Sequence, residues 1–318
     1  MAIVEPWTPL DIDPEGVGGP EELVERLDAM GPAALSELLT EEKAVVFRGF
    51  DITSETLDDV LDRILPDRFG RALRPGARKR KTANVWKVSG EQPHIAVRPY
   101  NKMSCTHAWP ARIALFCHTA PAAGGATMVV DGARWLASLA LDLRERFSPG
   151  VRYVRYLHDG SGLGVSWQDA FATTHRQEVE VFLDGTGTEW RWTADGGIHV
   201  SRIRPAVIAH PVTGTDVWFN QIHRWHPAGC GPGDVLSRAL PTERLPWNVT
   251  FADGSPISGE EVNRICESGA VAAVDIPWNR GDLLLLDNVA LAHGRRPFTG
   301  TRHVRVAMSD WCPTAPRT

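Results

Sequence analysis

No apolar run in this 318-residue chain approaches the roughly 18 residues that a membrane span needs. The longest candidate, LLLLDNVALA, is broken by an aspartate and an asparagine. Cysteine is scarce: five residues, at 105, 117, 230, 266 and 312, odd in number and without CxxC spacing. That pattern excludes a disulfide framework and a cysteine-rich zinc site. It fits a reducing cytoplasm, with Cys105 and Cys117 read as core or pocket residues. Positive charge is also short, with 34 Lys and Arg against 39 Asp and Glu, a net charge of -5 and a pI near 6.1. No nucleic-acid partner is expected from that balance. The opening MAIVEPWTPLDIDPEG is acidic and lacks the apolar core of a secretory leader.

Glycine is plentiful, yet no glycine-rich nucleotide loop occurs. GVGG follows no strand, and no P-loop or Rossmann fingerprint appears. Regular strand–helix repetition is missing too, which argues against a doubly wound sheet. No linker or internal repeat divides the chain, so residues 1–318 read as one domain with insertions. One basic run stands out, RALRPGARKRK at 71 to 81, with six cationic side chains. It reads as a solvated loop or as a lid that steers anions.

What is present is strand-rich, with helices near the front. PEELVERLDAMGPAALSELLTEEKAVVF predicts a helix, a Gly/Pro break, a second helix and a buried strand. ITSETLDDVLDRIL predicts a helix capped by Ser or Thr. TANVWKVS and RIALFCHTA predict strands, and ATMVVDGARWLASLALDLRERF a strand, turn and helix. Beyond Pro149, VRYVRYLH, EVEVFLDG, GTEWRWTADGGIHVSRI and PAVIAHPVTGTDVWFNQ predict short strands split by Gly, Asp and Pro. GEEVNRICESGAVAAVDI predicts a helix and strand, and RGDLLLLDNVALAHGRRPFTGTRHVRVAMSD a strand, turn, hairpin and strand.

Three stretches carry residues suited to chemistry. In DNVALAHGRRPFTGTRHVR, His293 follows an apolar strand, and Arg295, Arg296, Arg302 and Arg305 lie just beyond. Arginines there suit a small molecule that bears a carboxylate, because the guanidinium fork pairs with two oxygens. Strand alternation puts Arg302, Val304 and Val306 on one face and Arg305 on the other, so only one of the two arginines faces a common pocket. In GGATMVVD, Gly124 and Gly125 allow a tight turn ahead of Thr127. In WFNQIHRWHP, His223 and His226 are three apart, but Trp218 and Phe219 suggest a strand end, which favours packing over metal binding.

Together FRGF, NKMS, PARIALFC, PAAGGATMVVDGARW, RPAVIAHPVTGTDVWFNQ and GDLLLLDNVALAHGRRPFTGTR resemble the TauD/TfdA family of iron(II) and 2-oxoglutarate dioxygenases, in its clavaminate-synthase-like branch. The resemblance runs from about residue 44 to 310. It implies a mainly β fold with flanking helices, a double-stranded β-helix or jelly roll. It also implies iron held by His-x-Asp/Glu and a distal histidine, with positions left open for 2-oxoglutarate and oxygen. Against that pattern this chain reads YNKMSC, so Tyr100 falls on the first histidine and Lys102 on the carboxylate. The distal histidine matches His293, the 2-oxoglutarate threonine matches Thr127, and its arginine matches Arg302, with Arg305 as the fallback.

An ammonium at Lys102 repels a divalent cation, and a phenol at Tyr100 is a poor ferrous ligand. The expectation is therefore an enzyme that uses Lys102, Tyr100 and His293 without metal or other cofactor. It would tailor a small, amino-acid-like or carboxylate-bearing intermediate by cyclisation, isomerisation, elimination or condensation. Asn101 and Asn220 join Thr127, Arg302 and Arg305 as candidate substrate contacts. Two alternatives stay open. One is an oxygenase using Fe(II) and 2-oxoglutarate with atypical ligands, His293 joined by His94 or His107. The other is a non-catalytic carboxylate-binding or scaffold protein. Jelly rolls occur alone and in symmetric assemblies, so a homo-oligomer is also open.

Overall fold

The computed structural model describes residues 7–16, 18–66, 68, 86–87, 91–227, 229 and 239–313. The basic run at 71 to 81 and Cys230 lie outside the described residues. Two sheets make the core. The larger is ordered Leu10–Ile12, Ala44–Phe47, Leu283–Asp287, Ala108–Thr119, His303–Pro313, Trp86–Lys87. The smaller is ordered Val274–Ile276, Thr127–Asp131, Leu291–Arg295, Val97–Tyr100. From residue 274 onward the chain alternates between them, passing from 274–276 to 283–287, to 291–295 and to 303–313. This is the jelly roll, with the helices outside it.

The LLLLD run shows why a continuous apolar strand belongs here. Leu284 and Leu286 point between the sheets, against Ile113, Val129, Leu291 and Val304. Leu283 and Leu285 point the other way, against Leu35, Leu39, Leu57 and Leu61 of the two front helices. A strand covered on both faces has no polar side to show, and each buried leucine contributes roughly 1.5–3 kcal/mol. The first helix, Pro20–Glu42, breaks at Gly31 (φ 74°) ahead of Pro32, as the Gly/Pro signal predicts. The second, Leu57–Ile64, lacks the expected side-chain cap. Thr56 instead accepts the Thr53 amide through its hydroxyl.

A four-stranded antiparallel sheet is inserted between the jelly-roll strands 127–131 and 274–276. Its order is Asn248–Phe251, Val151–Leu157, Ile198–Arg204, Glu189–Trp192. One expectation in this region is corrected. EVEVFLDG is part of a helix, Arg176–Gly185, because Val179 and Leu183 fall one turn apart and both bury against Trp167, Phe171 and Ile198. The strand end expected at Trp218 and Phe219 is present, closing Asp216–Trp218, and a short helix, Ile222–Trp225, follows it with His223 inside. Among the described residues no helix is long and apolar enough to cross a membrane, and no disulfide is formed.

Candidate active site

The smaller sheet places the first two side chains. Tyr100, which ends the Val97–Tyr100 strand, is the register partner of His293 in Leu291–Arg295. Their ring centroids are 5.1 Å apart, inclined at 38°. The strands approach so closely beyond this pair that a Cβ on Gly294 would sit 2.3 Å from the Val97 carbonyl oxygen. The register shifts between His293 and Arg295, a local bulge beside the pocket. The Arg224 guanidinium lies 4.6 Å from the Tyr100 ring centroid, so the phenol ring is packed against an imidazole and a cation.

Lys102 is set by its backbone. Its N–H donates to Asn288 Oδ1 at 2.7 Å, and its carbonyl accepts from Asn288 Nδ2 at 3.0 Å. Asn288 also donates to the Pro110 carbonyl and accepts from Asn101 Nδ2 through its own carbonyl. Asn288 is fully buried. Among the described residues nothing hydrogen-bonds or ion-pairs with Lys102 Nζ, and the side chain reaches the cavity.

Across the cavity lie the arginines. Arg302 donates from Nε to the Gly125 carbonyl at 2.9 Å, and Arg295 donates to the carbonyls of Gln92 and Ile95. Gly125 has φ +71°, and a Cβ there would meet Pro121 at 2.8 Å and the Arg302 stem at 3.1 Å. The glycine turn is therefore what lets Arg302 lie where it does. Thr127 accepts the Trp278 indole N–H at 3.0 Å. Tyr100, Lys102, Thr127, His293, Arg295 and Arg302 thus line one cavity, with apolar walls from Val97, Leu115, Val304 and Val306. Its volume is about 30 Å³, room for roughly two waters. Among the described lining residues none is acidic.

Electrostatics follow from that lining. Burial first, then the charges of Lys102 and Arg224, lower the His293 pKa to about 3, so the imidazole is neutral at pH 7. Among the described residues its Nδ1 has no hydrogen-bond partner. Burial, then the neighbouring Arg295, lowers Arg302 to about 10, and it stays a cation.

Other sequence-predicted residues lie elsewhere. Arg305 alternates away from Arg302, toward the helix side near Glu55. Asn101 is buried behind Lys102, bonded to Asn288 and Gln221, and Asn220 bonds the Ala206 carbonyl and the Ile222 amide. Both brace loops and neither lines the cavity. His94 is exposed, and His107 packs edge-on against Phe182. His223 and His226 face the separate carbonyls of Arg98 and Ile257 and make no metal pair. Sequence reasoning missed Asn288, Arg224 and Trp278. Only an asparagine inside an apolar turn, at Asp287-Asn288-Val289, pointed to the first.

A ferrous ion in this cavity would meet one imidazole, one phenol and one ammonium, of which only the imidazole is a good ligand. Among the described residues no three His, Cys, Asp or Glu side chains are grouped to hold a metal. The donor set does not fit the iron that this fold suggests.

The model of the family described as "Taurine catabolism dioxygenase TauD, TfdA family" matches residues 4–308. The chain belongs to the TauD/TfdA family. Dapdiamide synthesis protein DdaC of Enterobacter agglomerans is 31% identical over 280 residues, covering 87% of this chain and 84% of that protein. A clavaminate synthase-like protein of Arabidopsis thaliana is 28% identical over 292 residues, covering 86% and 83%. Among solved structures, PvcB of Pseudomonas aeruginosa superposes with a TM-score of 0.54 at 16% identity, covering 96% of this chain and 86% of PvcB. PvcB is described as an Fe, alpha-ketoglutarate dependent oxygenase from an isonitrile synthetic pathway. At that identity the likeness speaks for the TauD/TfdA fold alone.

Proposed function

We propose that this TauD/TfdA-family protein is a biosynthetic enzyme acting on a small carboxylate-bearing, amino-acid-like molecule without a metal ion. One observation carries the reading: Lys102 and Tyr100 share a cavity with His293, and no acidic side chain among the described lining residues joins them. Two unit charges 4 Å apart interact by about 4 kcal/mol at an effective dielectric of 20, and a divalent ion doubles that. Lys102 therefore opposes a metal and serves as the local cation itself.

The arginine end supplies binding. Arg302 and Arg295 hold the substrate carboxylate, in place of the carboxylate of 2-oxoglutarate. His293, neutral at pH 7 but a weak base with its pKa lowered to about 3, takes a proton from the carbon beside a carbonyl only as charge passes to the oxyanion. The Lys102 ammonium and the Tyr100 hydroxyl stabilise the oxyanion that develops. Returning the proton to another carbon is an isomerisation, and expelling a leaving group is an elimination. Cyclisation and condensation start from the same enolate. The name of DdaC, a synthesis protein, supports a biosynthetic substrate.

A second reading has its own observation. The cavity volume of about 30 Å³ is small for a metabolite, which favours a carboxylate-binding protein whose Lys102 plugs the site. Metal-free protein incubated with 2-oxoglutarate in deuterium oxide separates the two. The enzymatic reading expects deuterium at the carbon next to the keto group, detected by NMR, insensitive to chelator and lost in His293→Asn. Binding without exchange supports the plugged site. Exchange that requires ferrous ion contradicts both.

A further inference from the structure

The inserted sheet carries a second cationic site on the face that packs toward the Lys102 loop. Register fixes that face. Tyr153 pairs with Arg202, Arg155 with Val200, and Val151 with Arg204, so these six side chains share one side of the sheet. Most of this side is core. Val151 and Tyr153 pack with Cys105, Trp218 and Ile222, while Leu157, Ile198 and Val200 pack with Trp167 and Val179. Arg155, Arg202 and Arg204 interrupt the apolar surface between those two clusters.

Only Arg204 is well bonded there. It donates from Nε to the Thr106 carbonyl at 2.9 Å and from Nη1 to the Ile203 carbonyl. Arg155 has one long bond, 3.3 Å to the Pro246 carbonyl, and rests 5.9 Å from the Trp225 ring centroid. Arg202 has no hydrogen bond or ion pair among the described residues. Both guanidiniums are half-buried: burial lowers the pKa of each, yet both keep part of their surface in solvent. The neighbouring thiol, Cys105, is pushed up by burial and supplies no negative charge. Desolvated cations with so few partners are costly, and an oxyanion would offset that cost.

The two places are linked through the chain. Cys105 and Thr106 follow Lys102 within one turn of chain, and Trp225 follows Arg224, which covers Tyr100. We propose that Arg155 and Arg202 bind a second oxyanion of the substrate, a carboxylate or a phosphate, at the opposite end from Arg302. This rests on the reading of the Lys102 cavity as the place where the small molecule reacts. The substrate is then an anion at both ends.

Titration calorimetry with inorganic phosphate and, separately, with malonate tests it on the parent, Arg202→Gln and Arg302→Gln. The expected result is saturable binding of at least one probe that Arg202→Gln weakens tenfold or more and that survives in Arg302→Gln. The probe that binds tells phosphate from carboxylate. Unchanged binding in Arg202→Gln, or no saturable binding by the parent, overturns the site. Loss in Arg302→Gln alone overturns it too and leaves the Lys102 cavity reading intact. Arg202→Met supplies a readout that a structural arginine would not give. Removing an unpaired half-buried charge raises the melting temperature, whereas a drop would mark Arg202 as part of the scaffold and contradict the proposal.

Discussion

The Asn288 carboxamide holds both backbone polar groups of Lys102, accepting its N–H at 2.7 Å and donating to its carbonyl at 3.0 Å. Residues 186 positions apart in sequence are locked together, and the lysine stem is aimed from a fixed base. Asn288→Ala leaves the Lys102 amide and the Lys102 and Pro110 carbonyls without these partners. The expected cost is about 3 kcal/mol of stability, from roughly 1–3 kcal/mol per stranded group, read from the denaturant midpoint.

Two buried histidines set an acid response. His293 and His223 each have a folded pKa of about 3, lowered chiefly by burial, with Arg224 contributing to both and Lys102 to His293. Unfolded, each titrates near 6.5. Between those values the unfolded state binds more protons, so stability is full above about pH 6.5 and falls as pH drops toward 3. The slope is about 1.4 kcal/mol per pH unit for each proton. Denaturation at pH 7 and pH 5 measures it, and His293→Asn removes one proton from the uptake. Lys102→Met raises the His293 pKa without restoring 6.5, since burial is the larger cause, and NMR titration of the ring follows it.

The glycine turn controls the anion end. Gly125→Ala forces a Cβ against Pro121 and the Arg302 stem at positive φ. Carboxylate binding is expected to weaken about tenfold, or ~1.4 kcal/mol, with the fold retained. Calorimetry with 2-oxoglutarate in an Arg202→Gln background reports the change.

The strands were legible because they are covered on both faces and punctuated by Gly and Pro, whereas their arrangement as a jelly roll came from the family resemblance. LLLLD has no reading as an exposed strand, and GGATMVVD marks its turn by the glycines themselves. The Arg302 and Arg305 faces followed from alternation alone. Helix Arg176–Gly185 was not legible, because its E-V-E-V segment mimics strand alternation and only packing on Phe171 and Ile198 decides. The bracing roles of Asn101 and Asn220 were hidden for a similar reason. A polar side chain in a site-like motif reads the same whether it bonds a ligand or a distant carbonyl, and the partner here is Asn288 or Ala206. Arg155 and Arg202 gave no signal, since their significance lies in what does not surround them.

The most direct measurement is iron content after anaerobic ferrous loading and desalting, made on the parent and on Tyr100→His with Lys102→Glu. The account predicts iron far below stoichiometric in the parent and clearly raised in the double variant, whose side chains supply the missing donors beside His293. Stoichiometric iron in the parent, lost in His293→Asn and accompanied by oxygen-dependent 2-oxoglutarate decarboxylation, would contradict it.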